Sequence, residues 1–395
     1  MTKKIAFGTT LLDKGLQGNG IDGIGQYCQE LLTQFGNSKN ELEISPYSFG
    51  ITNSASGAIP LPSYSNYLAR SFLSLDAHSR AQKYFDKADL IHCTDQLMPL
   101  ARNTPLVATV MDTIPLSRPQ FIKAQSRFFK PLLWKKLTER ADHIITISEF
   151  SKGEIINLMG YPEEKITSIP LGVDSRFFET ISKEDIAKTL SKLKIDRSFF
   201  LFIGSIQPRK NLSRILKAHA LLPHNLAIEF PLVIAGKLAW DDGKTLTAIK
   251  QGILEKRCIW LNYVSDFEKR CLLQSTIGLV FASLYEGFGL PILEAYASQA
   301  PVITSNCTSM IEVSGNSATL VNPEISEDIH RGEGRAQGLP EHGFIFCAFR
   351  SWLEIDQEVF ACWMEILTTS FCDAFAVHPG KDILVASSDA AGDID

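Results

Sequence analysis

Several broad classes are excluded by what this sequence lacks. No apolar run reaches the ~18–20 residues that a membrane-crossing helix needs. The opening Met1-Thr2-Lys3-Lys4, followed by Ile5-Ala6-Phe7, has the basic start of a secretory leader. Its apolar part is broken by Gly8-Thr9-Thr10 and ends at Asp13 without a small-residue cleavage site, so a first β-strand is the expectation. The 8 cysteines never fall in CxxC spacing, and several lie inside apolar runs such as Phe344-Ile345-Phe346-Cys347. They read as reduced, buried thiols of a cytoplasmic protein, with neither a disulfide framework nor a zinc site. An excess of positive charge is also missing. Lys and Arg number 39 against 44 Asp and Glu, for a net charge of -5, so no nucleic-acid partner is expected. Gly18-Asn19-Gly20-Ile21-Asp22-Gly23 has the letters of G-x-G-x-x-G but lies well past the first strand, Lys4–Phe7, and not directly after it, and Gly23-Ile24-Gly25 does not fit that spacing, so a Rossmann dehydrogenase is not expected. No D-x-D motif appears where a metal-bound diphosphate would want one, and Asp241-Asp242 falls in a predicted surface loop, so neither a metal site nor a bound cofactor is expected. No internal repeat of 20–50 residues is present.

What is present fits a globular α/β chain. Apolar residues make up 45% and charged residues 21% of 395, and at ~150 residues per domain the length suggests two or three domains. Short apolar runs alternate with helical patterns. Lys4–Phe7, Leu90–Cys93, Leu106–Met111 and His143–Ser148 read as strands, with helices over Ile24–Phe35, Ala124–Arg140 and Phe150–Met159. A second series has strands over Phe199–Ile203, Leu232–Ala235, Cys258–Tyr263, Gly278–Ala282 and Val302–Ser305. Helices Leu212–Leu222, Lys244–Lys256, Phe267–Gln274 and Pro291–Gln299 separate them. That order predicts two doubly wound parallel sheets in tandem. The expected domains are 1–180, 195–330 and an atypical tail 331–395, partly helical or disordered, with the polar stretch Ser175–Arg197 as the link. Two such domains place two carboxyl-end crevices face to face, an arrangement that permits a donor on one side and an acceptor on the other.

The most informative segment is Phe281-Ala282-Ser283-Leu284-Tyr285-Glu286-Gly287-Phe288-Gly289-Leu290-Pro291-Ile292-Leu293-Glu294-Ala295. A strand ends near Ser283, a loop with two glycines follows, and Pro291 fits the first turn of a helix. The amides of Gly287, Phe288 and Gly289, with the helix start at Leu290, would face an anion such as a phosphate. Glu286 and Glu294 are acceptor-only groups that suit sugar hydroxyls. From spacing alone, a plain strand–loop–helix junction with one capping and one solvated Glu is the alternative.

Glu286-Gly287-Phe288-Gly289-Leu290-Pro291-Ile292-Leu293-Glu294 resembles the E-x7-E signature of the family 4 retaining nucleotide-sugar glycosyltransferases, which have the GT-B fold. Other segments are similar in the family's order: Phe202–Leu212, which includes Gly204-Ser205-Ile206-Gln207-Pro208-Arg209-Lys210; Leu232–Gly236; Tyr263-Val264-Ser265-Asp266; Ala141–Lys152; and Ile169–Asp174. The resemblance runs from about residue 1 to 325 and implies the following roles. Lys210 would neutralise the diphosphate leaving group, with Arg209 assisting. The family's Arg after the first Gly is Ser205 here, so Arg209 stands as its substitute, with Gly204 and Ser205 on the donor side. Glu294 would accept from the ribose, Glu286 would sit beside the transferred sugar, and Val264 would meet the base by its backbone. Gly23-Ile24-Gly25 resembles the family's glycine loop near the donor phosphates. Val110-Met111-Asp112-Thr113-Ile114-Pro115 resembles its x-H-D-x-x-P segment, with Met111 in place of His and Asp112 kept. A turn or helix-start carboxylate is the alternative for Asp112. His92 reads equally as a core histidine. Ser148 reads as a helix cap and Lys152 as a residue lining the cleft.

The implied function is retaining transfer of a hexose, mannose in preference, from a nucleotide diphosphate sugar to a saccharide or lipid-linked saccharide in polysaccharide synthesis. GDP-mannose is preferred over UDP-glucose because Pro208-Arg209-Lys210-Asn211 resembles bacterial polysaccharide mannosyltransferases. The expected location is cytoplasmic, with peripheral contact at the inner membrane through Lys123–Lys136 (Phe128, Phe129, Lys130, Trp134, Lys135, Lys136). A solvated amphipathic helix is the alternative there. Two other classes remain open: an inactive binding remnant, given Met111, Ser205 and the altered tail, and a nucleotide-sugar epimerase. Beyond about Asp328 the family pattern stops. Gly338–Phe349 and Ile355–Trp363 are similar to a fragment of bacterial O-linked N-acetylglucosamine transferases, with the family's Asn and Lys replaced by Arg350 and Glu354.

Overall fold

A computed structural model describes residues 3–18, 20–37, 42–72, 80–101, 103–122, 129–240 and 243–337. The expected strand Phe344–Phe349, the helix around Gln357–Leu367 and the rest of the tail lie outside the described residues.

Two all-parallel sheets organise residues 3–337. The first holds β1 (Lys3–Gly8), β2 (Leu42–Phe49), β3 (Ile59–Leu61), β4 (Leu90–Cys93), β5 (Leu106–Thr109), β6 (His143–Thr146) and β7 (Ile166–Ser168), in the order β3-β2-β1-β4-β5-β6-β7. The second holds β8 (Phe200–Ile203), β9 (Leu232–Ala235), β10 (Cys258–Asn262), β11 (Gly278–Phe281), β12 (Val302–Ser305) and β13 (Thr319–Val321), in the order β10-β9-β8-β11-β12-β13. In both sheets the order reverses beside the first strand, so each has a crevice at its switch point. This is the expected pair of doubly wound α/β domains.

The central strands form because they are short runs of apolar residues buried on both faces, as parallel sheets covered by helices require. β4, β5, β8, β9, β11 and β12 are buried at every position. Fully buried Phe200 and Phe202 pack with Ile215, Leu216 and Ile234 in the core of the second sheet. Full burial removes ~1.5–3 kcal/mol per large apolar side chain from contact with water.

The polar stretch Ser175–Arg197 contains the helix Lys183–Lys192, capped by Ser182 and packed on the helix Asp266–Leu273 of the second domain. Two expectations are corrected here. Helix Ser326–Gln337 runs across the boundary drawn at 330. It packs on the helix Leu212–His219, where fully buried Glu333 faces His219 at 3.8 Å. Trp134 is only 5% exposed and belongs to the first domain's core, so it is unavailable to a membrane surface. Lys135 donates to the Leu158 carbonyl at 2.7 Å, while Leu132 is exposed. Of the other residues proposed to meet a membrane, Phe128 and the side chains of Phe129 and Lys130 lie outside the described residues. Among the described residues no helix is long and apolar enough to cross a membrane.

Candidate active site

The site is built where the loops after β8 and β11 meet. After β8 the chain turns at Gly204, whose φ of 137° suits glycine. A short turn, Pro208–Lys210, then ends at Asn211, which has a φ of 61°. Asn211 Nδ2 donates to the carbonyls of Ala282 at 2.9 Å and Pro323 at 2.6 Å. The Leu284 N–H donates to the Arg209 carbonyl at 2.8 Å. These bonds lock the two loops together.

That locking brings Arg209 and Lys210 onto Glu286. Glu286 is 6% exposed. Its Oε2 accepts from Arg209 Nη1 at 2.5 Å, and Arg209 Nη1 also donates to the Tyr285 carbonyl at 3.1 Å. Its Oε1 meets Lys210 Nζ at 2.6 Å. Lys210 Nζ also lies 4.6 Å from the centre of the Phe281 ring. Burial raises the Glu286 carboxyl, but Arg209 and Lys210 outweigh it and hold it down at about 2. Burial pushes Lys210 down to about 8, against the pull of Glu286 and with the help of Arg209. Pairing with Glu286 overcomes burial at Arg209 and raises it.

Asp112, from the first domain, joins this cluster. Its carboxyl is raised by burial, with Arg209 and the Ile114 N–H opposing and Glu286 adding to the rise. Asp112 Oδ1 accepts from Ile114 N at 3.0 Å, the turn role weighed from sequence. Lys210, Arg209, Glu286 and Asp112 are therefore neighbours: two cations, one strongly ionised carboxylate and one whose charge burial disfavours.

The Glu286–Gly289 turn is held from both domains. Ser309 Oγ donates to the carbonyls of Glu286 at 2.9 Å and Phe288 at 2.8 Å. Ser148 and Ser151, from the first domain, donate to the Gly287 carbonyl at 2.7 and 3.2 Å. In a trans peptide the N–H points opposite the carbonyl. The amides of Gly287, Phe288 and Gly289 therefore face away from these hydroxyls. Gly289 takes a φ of 113° before the helix Leu290–Ala297. A Cβ on Gly287 would lie 2.3 Å from the Met111 carbonyl and 2.9 Å from Asp112 Cβ. Gly287→Ala should therefore wedge the domains apart and cost about 1–3 kcal/mol in denaturant unfolding. An unchanged midpoint would contradict this contact.

Glu294, 3% exposed, is a further carboxylate acting on Lys210, and its Oε1 accepts from Lys269 Nζ at 2.7 Å. Other predicted residues fall elsewhere. Val264 is half-buried just ahead of the capping box of Ser265 and Glu268. Ser205 is exposed and accepts from Gln207 Nε2 at 3.0 Å. Gly23 and Gly25 do not form a loop directly after β1. The helix Thr10–Gln17 intervenes, and both glycines lie in the first turn of the helix Gly23–Asn37, where Asp22 Oδ1 accepts from Gly25 N at 2.8 Å. His92 is a core residue, with Nε2 2.8 Å from Thr109 Oγ1, and burial lowers it to about 3. Ser148 is the helix cap read from the sequence, accepting from Ser151 N at 3.0 Å. Lys152 pairs with Glu163 at 3.2 Å.

Sequence reasoning missed Lys269, Ser309, Glu312 and the Tyr285–Glu154 contact. Glu312 accepts from the N–H groups of Glu149 and Phe150 at 3.0 and 3.2 Å across the domains. Only the S-x-x-S spacing of Ser148 and Ser151 hinted at any of these partners.

Comparison with known proteins agrees with this architecture. Residues 21–177 match Glycosyltransferase Family 4, and residues 182–332 match Glycosyl transferases group 1. The chain is 29% identical over 325 residues to O-antigen chain mannosyltransferase B of Escherichia coli, covering 77% of this chain and 84% of that protein. It is 31% identical over 238 residues to the serotype-specific mannosyltransferase WbdA of Escherichia coli, covering 58% of this chain but spanning 29% of that longer protein. The crystal structure of Anabaena Alr3699/HepE in complex with UDP and glucose has the same fold. It aligns with a TM-score of 0.68 at 17% identity, over 93% of this chain and 100% of that chain. Two adjacent family matches and the two-sheet architecture lead to one conclusion: the chain belongs to the GT-B glycosyltransferases, with a Glycosyltransferase Family 4 domain followed by a group 1 domain.

Proposed function

We propose that the protein is a retaining hexosyltransferase that moves mannose from GDP-mannose to a hydroxyl of a growing saccharide, free or lipid-linked. The observation that carries this reading is the placement of Arg209 and Lys210 on Glu286, beside Asp112, at the carboxyl ends of β8 and β11. Two preorganised cations in a desolvated site suit the charge that develops on a leaving diphosphate. Lys210 and Arg209 take that charge, helped by the amides of Gly287, Phe288 and Gly289 at the start of the Leu290 helix. Glu286 orients the cations and meets the sugar; Asp112 meets the sugar from the other domain. Glu294 accepts from the ribose, Val264 meets the base, and Gly204, Ser205, Gly23 and Gly25 border the phosphates. Retention follows if the acceptor hydroxyl attacks on the face the diphosphate leaves, its proton passing to the leaving oxygen.

Mannose is favoured because the matched curated relatives include O-antigen chain mannosyltransferases. UDP-glucose is the competing donor, since the Anabaena protein of the same fold was solved with UDP-glucose. The test is product analysis with each donor and a saccharide acceptor. The proposal predicts a mannosylated product with the anomeric configuration of the donor; an inverted product would refute retention, and epimerised donor without acceptor would favour an epimerase.

A pH dependence follows from Lys210. The ammonium is the form that stabilises a leaving diphosphate, so kcat/KM should fall about tenfold per pH unit above about 8. Lys210→Arg should move that limb upward, because a guanidinium stays protonated. An alkaline limb that stays in place in Lys210→Arg would assign it to another group.

A further inference from the structure

We infer that Glu154 is a positioning residue, holding the loop that bears Asp112 and the loop that bears Glu286 in register across the two domains. The inference deepens the transferase reading and rests on it. Glu154 ends the helix Glu149–Glu154, after which the chain widens into a π-turn over Ile155–Met159. Its Oε2 accepts from Thr113 Oγ1 at 2.5 Å and also from the Tyr285 hydroxyl. The two hydroxyls lie 3.4 Å apart. Thr113 directly follows Asp112, and Tyr285 directly precedes Glu286. One carboxylate oxygen therefore ties together two loops that come from different sheets, each one residue from a member of the cluster.

The chemistry suits such a clamp. A carboxylate is acceptor-only and takes two hydroxyl donors at one oxygen, and bonds to a charged acceptor are the stronger kind. Tyr285 is fully buried. Burial, with Glu154 adding to it, pushes its hydroxyl up, so it remains a donor. Its ring is held edge-on by Phe150, with centroids 5.7 Å apart, and the Arg118 guanidinium lies over the ring, 5.9 Å from its centre. The helix carrying Glu154 is itself fixed to the second domain through Ser148, Ser151 and Glu312. None of these groups needs to touch substrate to set the spacing of those that do.

The test compares Glu154→Ala, Glu154→Gln and Tyr285→Phe in the full chain, by amide hydrogen exchange of segments 112–117 and 284–289 and by donor turnover. In Glu154→Ala both segments should exchange about 10-fold faster together. Turnover should drop by roughly 10–100-fold in kcat with donor KM little changed. Glu154→Gln keeps an acceptor oxygen and should restore most of both. The double variant Glu154→Ala, Tyr285→Phe should be no worse than Glu154→Ala alone, because the two sites share one interaction. Where Glu154→Ala does not fold, Tyr285→Phe reads the same link with the ring intact. Unchanged exchange in either segment, no restoration by Gln, or additive effects would overturn the inference. Exchange needs no donor. An unmodified chain that turns over no nucleotide sugar would count against the transferase reading, and the exchange rates would then decide the clamp by themselves.

Discussion

Lys210→Ala is expected to lower kcat for hexose transfer by about 10²–10³-fold, the usual cost of removing one preorganised group that stabilises developing charge. Arg209 already shares that charge while paired with the Glu286 carboxylate and the Tyr285 carbonyl, so it does not replace the lost ammonium, and Ser205 carries no charge. The loss should appear in kcat more than in donor KM, because the charge on the diphosphate grows in the transition state. Folding should survive. Glu286 would keep Arg209 as its partner, so no buried charge is left uncompensated, and the desolvation cost of the buried Lys210, lowered to about 8, is removed. Steady-state kinetics with an unfolding curve separate the two effects; a variant within tenfold of the unmodified enzyme would remove Lys210 from the chemistry.

Glu286→Ala has the largest expected effect on stability. It would leave Arg209 and Lys210 buried side by side without their shared carboxylate. Breaking a buried ion pair from one side costs about 3–5 kcal/mol, because an uncompensated charge remains. Glu286→Gln should recover part of this through its side-chain oxygen. The same carboxylate gives a pH signature. Its value is depressed from 4.5 to about 2, so its contribution is fully present above 4.5 and lost as pH falls from there towards 2. Glu286→Gln should therefore show a shallower loss of stability over that window than the unmodified chain. Parallel acid-unfolding curves for the two would contradict the depressed value.

How far the sequence could be read depended on where each element sits. β4, β9 and β12 were placed at their ends from sequence because fully buried parallel strands are apolar runs bounded by turn residues. β3, β7 and β13 were missed. Each is a three-residue edge strand with too few buried positions to stand out. β2 was missed because Pro46 argues against a strand. Pro46 pairs with Phe7 of β1, while β3 meets β2 only from Tyr47 onward, so Pro46 sits where β2 has a neighbour on one side alone. The tail was drawn from residue 331, yet Gly332 lies in a helix packed so closely that a Cβ would meet Ile303 and Val321 at 2.9 Å.

The site shows the same division. Glu286, Arg209 and Lys210 were legible because the segments that carry them resemble motifs of the glycosyltransferase family. That they would pair with one another was not, since the pairing depends on the adjacency of β8 and β11. Lys269, the partner of Glu294, lies on a helix whose charges read as a solvated face. Glu154 and Tyr285 are separated by 131 residues, and only the folded chain brings them together.

The central claim is that Arg209, Lys210 and the Glu286–Gly289 turn form a site for the diphosphate of a nucleotide sugar. Calorimetric titration of the unmodified chain and of Lys210→Ala with GDP, GDP-mannose and UDP-glucose tests it most directly. The account predicts that one nucleotide and its sugar bind the unmodified chain, GDP and GDP-mannose in preference, and bind Lys210→Ala at least about tenfold more weakly, as the loss of a charge-assisted contact requires. Equal affinity in the two proteins, or no binding of any of the three to the unmodified chain, would contradict it.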